Sequence, residues 1–288
     1  MAKSKVGGTR AYIRGRIGSD VYSVGKNGKG VRQQVVRSLA EQVSNPRTSS
    51  QMFGRMVMST VMQAVSALKP IIDHSFDGIP SGQPSISEFI RQNYALVKAD
   101  AEAHPASNNE FGLSKYQEKG VKVGYYVLSA GNVAIPTGVS YSSSGVSIAM
   151  SGATYTVGDV KAKLGFTSDG YITMIVISSD NGAQYCRFKI NPALSDDTTV
   201  TDQNINTLFV TEGNATFEVE EQGGFIAIKT PAGLTKATVG MIMSDKLNGS
   251  WVHSACTMVG DKASDFNADT ALPTYPTGAA QYLNGGDL

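Results

Sequence analysis

The sequence predicts an α+β protein: an N-terminal β-meander and a helical hairpin, followed by an antiparallel β-sandwich of Ig-like type. Three observations predict it. Short β-rich runs punctuated by glycine occupy residues 1–45, apolar residues recur at three- and four-residue steps through 46–119, and many short runs separated by turn signals fill 120–260. Long helical patterns do not alternate with the last set of strands, so a parallel α/β sheet is not expected. Residues 261–288, poor in apolar side chains and holding Pro273, Pro276, Gly285 and Gly286, read as an extended tail.

In the first segment, Ala11–Ile17 alternates apolar residues with Arg14 and Arg16 and reads as a strand. Gly18-Ser19-Asp20 is a turn, and Val21–Val24 a second strand. The loop Gly25–Gly30 is rich in residues that tolerate positive φ, and Val31–Arg37 is a third strand. Strands this short bury little surface and need something to pack against.

In the second segment, Thr48-Ser49-Ser50-Gln51 has the form of a capping box. Phe53, Met56, Val57, Val61, Ala64, Val65 and Leu68 then mark one helix face, which Pro70 is expected to end or kink. Ser85-Ile86-Ser87-Glu88 is a second capping box, opening a helix with Ile86, Phe89, Ile90, Tyr94 and Val97 on its apolar face. A short helical turn is expected over Leu113–Glu118. The strands expected in the third segment are Val121–Leu128, Val146–Met150, Ala162–Phe166, Tyr171–Ser178, Gln184–Ile190, Thr207–Thr211, Thr216–Glu220, Phe225–Thr230, Lys236–Ser244 and Ser250–Val259. Turns are expected at Ser168–Gly170, Asp180–Gly182, Gln222–Gly224 and Asn248-Gly249.

Hydrophobic residues make up 41% of the 288, enough for a core, so a wholly disordered chain is excluded. No apolar run is long enough to span a bilayer, and Met1–Gly8 lacks the apolar stretch of a secretory signal. Cys186 and Cys256 form neither a disulfide framework nor a zinc-ligand pattern. The glycine loop fails the P-loop and dinucleotide patterns because a strand follows it, where phosphate binding needs a helix N-terminus. No nucleophile elbow and no paired-histidine zinc motif is present. His74, His104 and His253 read as structural or solvated, and Asp196-Asp197, Glu212 and Glu218-Glu220-Glu221 as strand edges and turns. No catalytic residue, metal ligand or cofactor is therefore assigned, and the chain is not expected to be an enzyme.

The charge is lopsided. Residues 1–60 hold eleven Lys or Arg against Asp20 and Glu41; the other 228 hold fourteen against twenty-two acids. A basic surface is expected from Arg10, Arg14, Arg16, Lys26, Lys29, Arg32, Arg37 and Arg47. It suits a polyanion, or the acidic body of a second copy.

Gly15-Arg16-Ile17-Gly18, Val24-Gly25, Val36-Arg37-Ser38 and Asn45-Pro46-Arg47-Thr48-Ser49-Ser50-Gln51, with Arg55 in an apolar helix, form a recognisable combination. It resembles a family of small proteins of Bacteroidetes and their phages that share a basic Gly-rich hairpin, an Asn-Pro-Arg-Thr-x-x-Gln helix start and a C-terminal β domain. Val239–Ser254, with Ser244, Asn248-Gly249 and Trp251, is similar to that family's last hairpin. The resemblance implies a virion component of a crAss-like tailed bacteriophage, without catalytic residues, in a multi-copy ring at the head–tail junction or tail barrel. Its implied partners are further copies of itself, the portal and neighbouring ring or tail proteins. Two alternatives stand beside it: non-specific nucleic-acid binding by the basic N-terminal unit, and glycan binding by the sandwich.

Overall fold

The structure is a computed structural model and describes residues 3–7, 10–26, 28, 31–39, 49–103, 111–112, 121–167, 169–234, 236–260 and 274–275. The chain forms two compact units, Met1–Pro46 and Arg47–Leu288.

The first unit is a four-stranded antiparallel meander of β1 (Lys3–Gly7), β2 (Arg10–Ile17), β3 (Asp20–Lys26) and β4 (Arg32–Ser38), in that order across the sheet. The three expected strands are present, each a residue or more different at its ends. β1 is additional. Lys3-Ser4-Lys5 has weak strand propensity, and its pairing to β2 makes it a strand. Gly18 has φ 60° at the first central position of the β2–β3 turn, the sign a two-residue II′ hairpin requires there.

The second unit runs α1 (Ser49–Ile72), α2 (Gln83–Ala103), β5 (Phe111–Gly112), β6 (Val127–Ser129), β7 (Val139–Ser142), β8 (Gly145–Ala149), α3 (Val157–Leu164), β9 (Tyr171–Ser178), β10 (Gly182–Ile190), α4 (Ile205–Leu208), β11 (Phe209–Gly213), β12 (Val219–Glu221), β13 (Phe225–Lys229), β14 (Ala237–Leu247), β15 (Ser250–His253), β16 (Cys256–Thr257), β17 (Val259–Gly260) and β18 (Thr274–Tyr275). The larger sheet has the order β11-β10-β9-β14-β15, with β17 also on β14; the smaller is β12-β13-β8-β7. β6 pairs with β16, and β5 with β18.

These elements stack in three layers. On one face of the larger sheet, Ile172, Met174, Val176, Phe188, Met241 and Met243 pack with Ile148, Ile226 and Ile228 of the smaller sheet and Val160 and Leu164 of α3. On the other, Ile175, Ile177 and Ile242 pack with Val61, Ala64 and Leu68 of α1, Phe89 of α2 and Leu128 of β6. The fold is thus α+β with a β-sandwich-like pair of sheets, and the helical hairpin clads the outer face of the sandwich. β9 lies between both cores, which explains why Ile172–Ser178 is continuously buried.

Several local expectations are corrected. Ala162–Phe166 is not a strand, because α3 ends there. Thr156 caps α3 with a complete capping box to Asp159, and Gly165 closes it in the left-handed conformation. Those signals outweigh the short apolar run. α2 begins at Gln83, ahead of the Ser85 box, and Ser85 Oγ instead donates to the carbonyls of Asp73 and Pro80. Pro70 does not end α1, which runs on to Ile72. Of the first expected sandwich strand, Val121–Leu128, only Val127 and Leu128 fall in a strand, β6, and Ser250–Val259 breaks into β15, β16 and β17. Of Thr207–Thr211, the first two residues belong to α4. β7 was not expected from the sequence. Lys29, Arg47, Thr48, the turn Leu113–Glu118 and the tail apart from Thr274-Tyr275 lie outside the described residues.

Candidate functional site: an exposed basic sheet

The N-terminal sheet carries most of the predicted basic residues. Its pairing registers decide how they are grouped. In the β1–β2 hairpin, Lys3 stands opposite Arg14, Lys5 opposite Tyr12 and Gly7 opposite Arg10. In the second ladder, Arg16 pairs with Val21 and Val21 with Arg37. The two arginines therefore stand in one row, two strand spacings or about 10 Å apart. Lys26 pairs with Arg32 on the opposite side, at the far end of the ladder. Gly15, between the two ladders, has φ 116°, a conformation that favours glycine.

Arg14, Arg16 and Arg37 are exposed, and Arg16 Nε donates to the Gly18 carbonyl at 2.8 Å. Arg32 is also exposed and engaged by neighbours. Register places Arg10 and Lys26 on strands; Lys29 and Arg47 lie outside the described residues. So register pairs Lys3 with Arg14 and Gly7 with Arg10 across the first hairpin, sets Arg16 and Arg37 in one row across β3, and pairs Lys26 with Arg32 at the far end of the ladder.

The second property of this sheet is its apolar exposure. Every residue of β4 is exposed. Ile17, Val31, Val35, Val36 and Leu39 are 37–52% exposed, and none of the described residues of β2, β3 or β4 is fully buried. β4 is also an outer strand of the sheet as described. Val35 and Val36, neighbours on β4, thus put apolar surface on both faces of the strand.

Within the second unit, one arrangement invites a catalytic reading and does not carry it. Ser244 Oγ lies 2.9 Å from His253 Nδ1, but both residues are buried, and Asp77 Oδ1 accepts the backbone N–H of His253 at 2.8 Å. Burial lowers the His253 pKa, Asp77 opposes that shift and His74 adds to it. The hydroxyl is closed off and serves as a structural clamp between β14 and β15. The acidic residues are likewise engaged: Glu220 pairs with Lys229, Glu221 accepts the Gly224 N–H at 3.0 Å, and Asp196 meets Lys161 at 2.5 Å. Among the described residues, no group of His, Cys, Asp and Glu side chains is arranged to hold a metal, and no helix is long and apolar enough to cross a membrane.

No protein-family model, curated protein or solved structure matches the chain.

Proposed function

We propose that the chain is a non-enzymatic structural subunit of a tailed-phage virion that builds a multi-copy ring at the head–tail junction or tail barrel, with its N-terminal sheet as the gripping arm. The observation that carries the reading is β4: an outer strand, exposed at every residue, with Val35 and Val36 uncovered. Such a strand gains backbone hydrogen bonds and apolar burial when a neighbour covers it. Charge supplies the direction. Met1–Pro46 holds nine Lys or Arg and two acids, net +7, while Arg47–Leu288 holds sixteen and twenty-two, net −6. The arm of one copy therefore attracts the body of the next, a head-to-tail contact that closes into a ring when the rotation fits. The virion setting rests on the likeness of the Gly15–Gly18 and Asn45–Gln51 motifs to phage structural proteins.

The test compares full-length protein with Val35→Lys/Val36→Lys, by light-scattering mass in solution and negative-stain imaging. Rings or defined oligomers of the wild type that revert to monomers in the variant support the proposal. A wild type that stays monomeric at high concentration, with the β4 amides protected from hydrogen exchange, removes it. For the setting, a mass spectrum of purified particles either contains this chain or rejects the virion reading.

The concentration of Lys3, Lys5, Arg10 and Arg14 in one hairpin favours a second reading, in which the arm holds nucleic-acid phosphate non-specifically. Binding to a DNA duplex of mixed sequence would then weaken steeply with salt and vanish in Arg10→Gln/Arg14→Gln. Salt-insensitive or unaltered binding defeats it.

A further inference from the structure

The helical hairpin does not cover the whole outer face of the larger sheet. Past Pro70 and His74, where α1 has ended, a strip of sheet lies open and forms a cleft of about 360 Å³. Register explains who lines it. Tyr171 pairs with Ser244 and Ser244 with His253, so Trp251, two residues before His253, shares their face. Arg187 pairs with Thr173, two residues beyond Tyr171, and Glu212 pairs with Arg187. Lys189, two residues beyond Arg187, completes the set.

Trp251 is 40% exposed and its ring centroid lies 5.3 Å from that of Tyr171, tilted by 59°. The Arg187 guanidinium sits 5.8 Å from the Tyr171 ring centre and 5.9 Å from that of Tyr185. Its Nη2 donates to the Pro70 carbonyl at 3.0 Å, and its Nη1 lies 3.6 Å from Glu212 Oε1. Lys189 Nζ lies 3.3 Å from Asp169 Oδ1, and Lys246 Nζ 3.9 Å from Asp169 Oδ2. The cleft thus presents aromatic rings flanked by cations and carboxylates already held by one another.

We infer that this cleft, built on Trp251, Tyr171, Arg187, Lys189 and Glu212, binds a neutral saccharide. A pyranose has an apolar C–H face that lies on an aromatic ring, and a rim of hydroxyls that each donate and accept. The site offers both halves of that chemistry: ring surface from Trp251 and Tyr171, donors from Arg187 and Lys189, and an acceptor from Glu212. The ion pairs fix the polar groups before the ligand arrives, which lowers the cost of ordering them. Nucleic acid also stacks on sheet-borne aromatics, but it asks for a surplus of positive charge. Here Arg187 and Lys189 face Glu212, whose side chain, 81% exposed, would meet a phosphate head-on. The roomier cleft of about 600 Å³ beside Ser142–Ser144 and Lys229 has no aromatic lining and lacks this combination.

Trp251 is the one tryptophan of the chain, so its emission reports on this site alone. The full-length protein is applied to an array of neutral and acidic glycans, and the strongest neutral hit is titrated in solution while tryptophan fluorescence is followed. A saturable emission change is expected. Tyr171→Ala and Glu212→Gln should each weaken binding by about tenfold or more, with the far-UV spectrum and thermal midpoint of Glu212→Gln unchanged because its carboxylate is solvent-exposed. Trp251→Ala should abolish the array signal. An array without neutral hits overturns the inference. So does binding that survives both Tyr171→Ala and Glu212→Gln, or an emission change produced only by single-stranded oligothymidine and lost with added salt. Oligomeric state, measured on the same samples, reads the ring proposal separately.

Discussion

The side chain of Asn93 holds both backbone polar groups of Val127. Its Oδ1 accepts the Val127 N–H at 2.8 Å and its Nδ2 donates to the Val127 carbonyl at 2.9 Å, as a neighbouring strand would. Nδ2 also donates to Phe89 O on its own helix. The residue is fully buried, so α2 is joined to the start of β6 by hydrogen bonds that water does not contest. Asn93→Ala leaves a buried donor and acceptor unmet and is expected to lower stability by about 2–3 kcal/mol, read as a drop in the urea midpoint at unchanged slope. A drop below about 0.5 kcal/mol would mean that water replaces the amide.

Lys122 and Asp100 make a second buried connection. Nζ and Oδ2 are 3.2 Å apart, with the lysine side chain 3% exposed. Removing one partner of such a pair strands the other charge, so Asp100→Leu should cost about 3–5 kcal/mol. The double replacement Asp100→Leu/Lys122→Met should recover part of that loss. A double mutant no more stable than the single one would show that the lysine is neutralised elsewhere.

His253 makes stability depend on pH. Its pKa in the fold is lowered from 6.5, burial being the largest cause. Below the unfolded value the unfolded chain therefore binds more protons than the native one, and stability falls as pH drops from about 6.5 toward the depressed native pKa. Urea midpoints at pH 7.5 and 5.5 should differ in that direction, and His253→Asn should reduce the difference. An equal slope in the variant would move the effect to other groups.

The two thiols should be inert in the native protein. Burial pushes Cys256 up to about 12 and raises Cys186, and both are nearly inaccessible. A thiol reagent at pH 8 should label neither until denaturant is added. Rapid labelling of the folded chain would show that β10 or β16 opens locally.

Asn248 and Gly249 have φ of 52° and 83°, the two positive values of a I′ turn, and this turn carries β15 with Trp251. Asn248→Gly should be nearly neutral, while Gly249→Val should cost about 1–2 kcal/mol and alter tryptophan emission. Unchanged emission and stability would mean that the hairpin tolerates another turn.

The sequence was most informative where one signal acted alone. Asn248-Gly249 and the apolar face from Val57 to Leu68 were legible because local turn chemistry and helical periodicity met no competitor. Ala162–Phe166 misled because Ala162 and Leu164 belong to the last turn of an eight-residue helix, too short to establish a period, and Phe166 follows its cap; the Thr156–Asp159 box was the readable signal. The arginines of the arm were legible as a charge block. Their grouping, Gly7 opposite Arg10, Lys3 opposite Arg14 and Arg16 in one row with Arg37 across β3, depended on pairing register and could not be read along the chain. The Trp251 cleft was illegible for the same reason: Tyr171, Arg187, Glu212 and Trp251 come from four strands, and only their lateral order brings them together.

β9 lies between two hydrophobic cores, with helices against one face and a second sheet against the other. Its amides should be the slowest to exchange in the chain, because deuterium reaches them only when both coverings part. Neither the helical hairpin nor the smaller sheet can then detach as an independent module. A destabilising lesion in either would lower the stability of both together, in one transition.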